Sequence, residues 1–135
     1  MEPQELALKI AKVLYDKKAL DIQVLDVSKL TVITDYMVIA SGRSALQVKS
    51  LAEDVDDQLA MEGVTLRSKE GVMEGRWIVL DYGTVLVHIF HPEDRQFYRL
   101  ERLWEDGENR VPLPFIEEDE GKEPKAEARD GEGDL

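Results

Sequence analysis

A chain of 135 residues that is 43% hydrophobic and 34% charged has the composition of one ordinary globular core. Its formal net charge of −12 argues against a protein held on a nucleic-acid backbone by a general basic surface, and favours a basic protein partner. Cysteine is absent, which excludes disulfides, thiolate chemistry and Cys-based zinc sites and points to a reducing, cytoplasmic setting.

The first twenty residues mix acids and lysines with apolar side chains, unlike the uninterrupted apolar core of a signal peptide. No stretch approaches the roughly 20 apolar residues that span a bilayer, so no membrane association is expected. Pro3 suits a first helical turn, and Leu6, Ile10, Val13 and Leu14 recur at the spacing of one apolar helix face. "DIQVLDV" and "DYMVIASG" read as two strands. The next helix is well marked: Ser44 and Gln47 form an S-x-x-Q capping box ahead of a stripe of Val48, Leu51, Ala52, Val55 and Leu59. Gly63 suits the left-handed position after its end.

"VTLRS" is a short strand candidate and "GVMEG" a loop. "RWIVLDYGTVLVHIF" then reads as a hairpin with Tyr82 and Gly83 as a two-residue turn, which sets Asp81 opposite Thr84, Leu80 opposite Val85 and Trp77 opposite His88. Strand alternation puts Ile78, Leu80, Val85, Val87 and Ile89 on one aliphatic face. Trp77, Val79, Asp81, Thr84, Leu86, His88 and Phe90 fall on the other. In "HPED", His91 reads as an N-cap, Pro92 as the first helical residue, and Glu93 and Asp94 as first-turn carboxylates. Phe97, Leu100 and Trp104 continue that helix as an apolar stripe, with Leu103 beside it. The outline is α/β in the α+β sense: a mixed sheet of about five strands packed with about three helices.

From Asp106 onward eleven acids stand against four basic residues, so residues 1–105 read as the folded domain and 106–135 as an acidic, disordered tail. Within that tail "VPLPFI" reads as a proline-stiffened exit from the fold, with docking as the alternative.

Several chemical readings compete. His88 and His91, on a strand and at a helix start, do not converge on one point, so a metal pair is disfavoured against a strand histidine and a helix cap. No serine lies in a G-x-S-x-G elbow. "SGRS", residues 41–44, sits between a strand and a capped helix, where amides can hold a phosphate as they do in nucleotidyltransferases. Those enzymes also need a carboxylate cluster for magnesium, and the hairpin supplies only Asp81. Arg95, Arg99 and Arg102 are spaced as a positive stripe that either pairs with Asp54, Asp56 or Asp57 or meets a partner. An aromatic centre with a polar rim on the open hairpin face has the make-up of a protein interface, unless another helix covers it.

Together "ITDYMVIASGRSALQVKSLAEDV" and "EGRWIVLDYGTVLVHIFHPEDRQFYRLERLW" closely resemble the Iojap-like ribosomal silencing factors, RsfS, across residues 4–105. The resemblance implies a fold shaped like nucleotidyltransferases without their catalytic carboxylates. It implies a non-enzymatic translation repressor that needs no cofactor and binds the large ribosomal subunit through ribosomal protein fourteen, blocking the small subunit. On that reading Trp77 is the buried anchor and Asp81 a charge partner. Val79, Tyr82, Leu86, His88 and Glu74, or Glu70 in its place, are expected as further contacts, with Arg95, Arg99 and Arg102 as a second contact region. No sequence-specific nucleic-acid recognition is expected. The free protein has a symmetric homodimer through the same face as an alternative use of it, and a nucleotide-binding enzyme working at residues 41–44 is the competing function.

Overall fold

The computed structural model describes residues 1–116. Helix α1 (Pro3–Asp16) begins at a capping box in which the Glu2 and Glu5 side chains accept each other's backbone N–H, and it buries Leu6, Ile10 and Leu14. Helix α2 (Ala45–Met61) starts at Ser44, whose Oγ accepts the Gln47 N–H at 3.1 Å. The reciprocal half of that box is displaced by one residue, because Gln47 Oε1 takes the N–H of Arg43. All five residues of the expected α2 stripe are buried, and Gly63 follows at φ +79°.

Strands β1 (Leu20–Asp26), β2 (Tyr36–Ser41), β3 (Ser68–Glu70), β4 (Trp77–Asp81) and β5 (Val85–Phe90) form one mixed sheet in the order β1-β2-β5-β4-β3. Only the central β2–β5 pair is parallel, which the long crossover carrying α2 permits. Helices α1 and α2 pack on one face with Val24, Val38, Ile78, Leu80, Val87 and Ile89 to form the main core. The expected mixed sheet of five strands with helices is thus the fold.

Four local expectations change. The third strand lies at Ser68–Glu70, one residue run beyond "VTLR". The hairpin is shifted by two residues: Asp81 faces Leu86, Leu80 faces Val87, and Trp77 faces Phe90. The turn is longer because Asp81 Oδ1 accepts the Gly83 N–H at 2.7 Å, with Gly83 at φ +87°, and the Tyr82 N–H reaches the Val85 carbonyl at 2.9 Å. A two-residue shift keeps parity, so the sorting of side chains between faces survives.

The last helix is broken. Arg99, at φ +49° and ψ +50°, separates α3 (Pro92–Tyr98) from α4 (Leu100–Trp104). The break turns Leu100 and Trp104 onto the second sheet face, against Leu25, Val27, Met37, Ile39 and Phe90, while Phe97 and Leu103 remain 80% and 75% exposed.

Finally, "VPLPFI" docks rather than exits. The Val111 N–H donates to the Val24 carbonyl at 2.8 Å, Val111, Leu113 and Phe115 pack against the main core, and the Phe115 ring lies 5.2 Å from that of Tyr15. Asn109 anchors the approach by donating to the carbonyls of Asp26 and Trp104 at 3.0 and 2.7 Å. Ordered packing therefore continues past residue 105, and the rest of the expected tail, 117–135, lies outside the described residues.

Candidate partner-binding surface

On the sheet face opposite α1 and α2, register brings side chains into rows. Trp77 and Phe90 are paired across β4 and β5, as are Val79 and His88, and Asp81 and Leu86. Glu70 and Ser68 of β3 extend the last two rows outward, opposite Val79 and Asp81. The α3–α4 elbow covers the β1–β2 side of this face. Trp77, Val79, Asp81 and Leu86 stay half-buried beyond it. Trp77 stacks on Phe90 at 4.8 Å and meets Tyr98 at 5.0 Å, and Tyr98 in turn meets the exposed Phe97 edge-on at 5.0 Å. An aromatic ledge with carboxylates at its outer edge results.

Two expected contacts, Tyr82 and His88, are buried rather than exposed on the open face. Tyr82 is buried in the main core on the helix-covered side, where burial and the Asp56 carboxylate raise its hydroxyl pKa well above the usual value. His88 is on the predicted face but only 6% exposed, so it forms no rim, and Phe90, expected in the open centre, is fully buried beneath Trp77. The Trp77 indole Nε1–H donates to His88 Nδ1 at 3.2 Å, and burial pulls the histidine pKa down to about 4. His88 therefore supports the anchor from beneath. Glu74 sits exposed in the turn before β4. Tyr98 was not among the expected contacts, hidden by reading one unbroken helix, whereas Glu70, the alternative to Glu74 as the acidic partner before the hairpin, is set beside Val79 by the β3–β4 pairing.

The three arginines do not form a stripe, since the break at Arg99 divides them. Arg95 is buried, donating to Ser41 Oγ at 3.1 Å and to Glu101 Oε2 at 3.3 Å. The expected pairing with Asp54, Asp56 or Asp57 does not occur, and Asp56 instead lies 3.8 Å from Lys69. Arg99 and Arg102 are exposed beside Arg95 on a groove against β1.

The 41–44 turn has committed its Gly42 and Arg43 amides and the Arg43 guanidinium. Gly42 N–H bonds the Phe90 carbonyl at 2.9 Å, Arg43 N–H is held by Gln47, and the Arg43 guanidinium reaches the Lys18 carbonyl at 3.0 Å. Ser44 is spent as the N-cap and Ser41 on Arg95. A phosphate there would displace bonds that hold α2 to β2. His91 acts as the expected cap, its Nδ1 accepting the Glu93 N–H at 3.3 Å. Among the described residues no group of three or more His, Cys, Asp or Glu is placed to hold a metal ion.

Comparison with known proteins agrees with this geometry. A family described as "Ribosomal silencing factor during starvation" (RsfS) matches residues 1–134. The ribosomal silencing factor RsfS of Bacillus subtilis is 40% identical over 104 residues, covering 76% of this chain and 88% of the relative. That of Chromobacterium violaceum is 41% identical over 104 residues, covering 77% and 85%. The crystal structure of a Chromobacterium violaceum protein superposes with a TM-score of 0.76 at 38% identity, covering 84% of this chain and 96% of that one. The match spans the half-exposed ledge as well as the core, and the chain belongs to the RsfS family of ribosomal silencing factors.

Proposed function

We propose that this protein represses translation without catalysis, by binding the large ribosomal subunit through ribosomal protein fourteen and keeping the small subunit away. The observation that carries the site assignment is the ledge: Trp77, fixed by Phe90, Tyr98 and His88, stands half-exposed among Val79 and Leu86 with Asp81 and Glu70 at its edge. A preorganised aromatic centre beside carboxylates suits a basic protein surface, because the apolar centre supplies affinity and the charges supply orientation and encounter rate.

The block is steric. A domain of this size is about 25 to 30 Å across, enough to hold two subunit faces apart wherever it covers their contact. The relatives are named as silencing factors, and two of the amides a phosphate would need in the 41–44 turn, those of Gly42 and Arg43, are bonded within the fold, which favours binding over nucleotidyl transfer. Among the described residues no helix is long and apolar enough to cross a membrane.

Co-sedimentation with purified large subunits, with and without small subunits, tests the reading. The same ledge is the natural surface for a symmetric homodimer of the free protein, which subunit binding would displace. Sedimentation equilibrium over a range of concentrations tests that, and a monomer at high micromolar concentration removes it.

A further inference from the structure

Helix α3 has a second side. Away from Trp77, its Arg95 and Gln96 face β1 across a groove that also takes in Arg99, Arg102, Ser41 and Gln23. Two residues of this groove, Asp21 and Arg99, hold φ +49° without being glycine. Such conformations cost free energy and persist where surrounding structure enforces them, often at binding sites. β1 also breaks register between Leu20 and Gln23, which bends its edge at this point.

The groove carries two complementary kinds of unmet demand. Arg99 and Arg102 are exposed, and among the described residues neither guanidinium meets a carboxylate; Arg99 Nε donates only to the Gln96 carbonyl, at 3.1 Å. Arg95 does not share that freedom, being committed to Ser41 and Glu101. Meanwhile Gln23 Oε1 and Glu101 Oε1 are buried and accept no hydrogen bond from any described residue. A ligand suited to this wall brings anionic oxygens for Arg99 and Arg102 and hydroxyl donors for Gln23 and Glu101. The carboxylates of Asp21 and Glu101 disfavour a dense polyphosphate, whereas phosphates separated by sugars avoid them. A ribose-phosphate backbone has both features, because its 2′-hydroxyl donates where DNA or an acidic side chain has nothing to offer.

We propose that the groove between β1 and the α3–α4 elbow binds the ribose-phosphate backbone of large-subunit RNA. This rests on the ribosome-binding reading and makes that contact bipartite: a protein on the aromatic side of α3, RNA on its arginine side. Two exposed guanidiniums with no carboxylate partner among the described residues, on a protein of net charge −12, give a local contact that follows shape and spacing rather than base sequence.

The test uses the full chain carrying Arg99→Gly and Arg102→Ala. Glycine accepts the left-handed conformation, and Arg102 is exposed, so the fold is retained. Affinity for purified large subunits is measured over a series of salt concentrations, alongside hydroxyl-radical footprinting of the ribosomal RNA. The expected result is weaker binding, a log-affinity against log-salt slope shallower by about 0.7 to 0.9 per lost phosphate contact, and loss of a patch of ribose protection given by the wild type. Unchanged affinity and slope would overturn the proposal. So would weaker binding with the RNA protection intact, which would assign the groove to an acidic protein surface. Tighter binding by the variant would mean that the arginines hold an acidic segment of this chain instead. Wild-type protein that does not bind the subunit at all would overturn the ribosome reading itself, a result separable from invariance between wild type and variant.

Discussion

The Trp77 indole N–H donates to His88 Nδ1 at 3.2 Å, so the half-buried anchor of the ledge is held by a histidine that must be neutral to accept. Burial lowers the His88 pKa from 6.5 to about 4. Between those values the unfolded chain binds the proton and the folded chain does not, so stability rises with pH through that window. Burial of His88 costs nothing above about pH 6.5, and as pH falls toward 4 it destabilises the fold by up to about 3 kcal/mol. Urea unfolding of wild type and His88→Gln at pH 7, 5.5 and 4.5 checks this. The stability of wild type relative to the variant should fall with acid, and a difference independent of pH contradicts the assignment.

The turn before β4 is sterically closed. A Cβ at Gly71 would lie 2.0 Å from the Trp77 carbonyl oxygen, and the residue sits at φ +81°. Gly63 has a similar φ of +79° with nothing within 4 Å. Gly63→Ala should therefore cost about 1 to 2 kcal/mol, the backbone penalty alone. Gly71→Ala should cost more than 3 kcal/mol, because Trp77 must move as well. Thermal melts of the two variants separate the effects, and equal losses would contradict the close approach.

Tyr82 carries a buried hydroxyl with no hydrogen-bond partner among the described residues. Tyr82→Phe should leave stability unchanged or raise it by up to about 1 kcal/mol, since it removes an unsatisfied polar group and little volume. Large-subunit binding should not change. Loss of binding without loss of stability would return Tyr82 to the interface.

Period and parity made much of this fold legible. The α1 and α2 stripes, the Ser44 and His91 caps and the division of β4 and β5 side chains into two faces all follow from spacing and local hydrogen-bond chemistry. Tyr82 was within reach of the same logic, because alternation that puts Asp81 on the mixed face puts its neighbour on the aliphatic one. What spacing misses is chemistry that acts between residues or against type. The hairpin register depends on the Asp81 carboxylate reaching the Gly83 N–H, and the helix break on an arginine adopting a glycine conformation. The docking of residues 111–116 depends on Val24, far away in sequence. The same break at Arg99 explains why an arginine stripe on paper becomes one buried and two exposed arginines on a groove.

That docked segment should matter for stability. Ending the chain after Arg110 removes the Val111 bond to Val24 and the half-buried Val111, Leu113 and Phe115. At half burial these apolar groups contribute roughly 1 kcal/mol each, so a loss of about 3 kcal/mol is expected. Chemical denaturation of the shortened chain measures it, and a loss below about 1 kcal/mol would mean the segment is a passive strap.

The most direct measurement is sucrose-gradient sedimentation of the protein with purified large subunits, with and without small subunits, comparing wild type with Trp77→Ala and Asp81→Ala. The account predicts that wild type travels with large subunits and reduces the joined ribosomes. Trp77→Ala should lose at least about thirtyfold in affinity, equivalent to about 2 kcal/mol, while its circular dichroism stays that of a folded chain. Asp81→Ala should lose less, through slower association, with its fold checked in the same way because that carboxylate also holds the Gly83 N–H. Wild type that remains at the top of the gradient while subunits join normally, or a folded Trp77→Ala that binds and blocks as well as wild type, would contradict it.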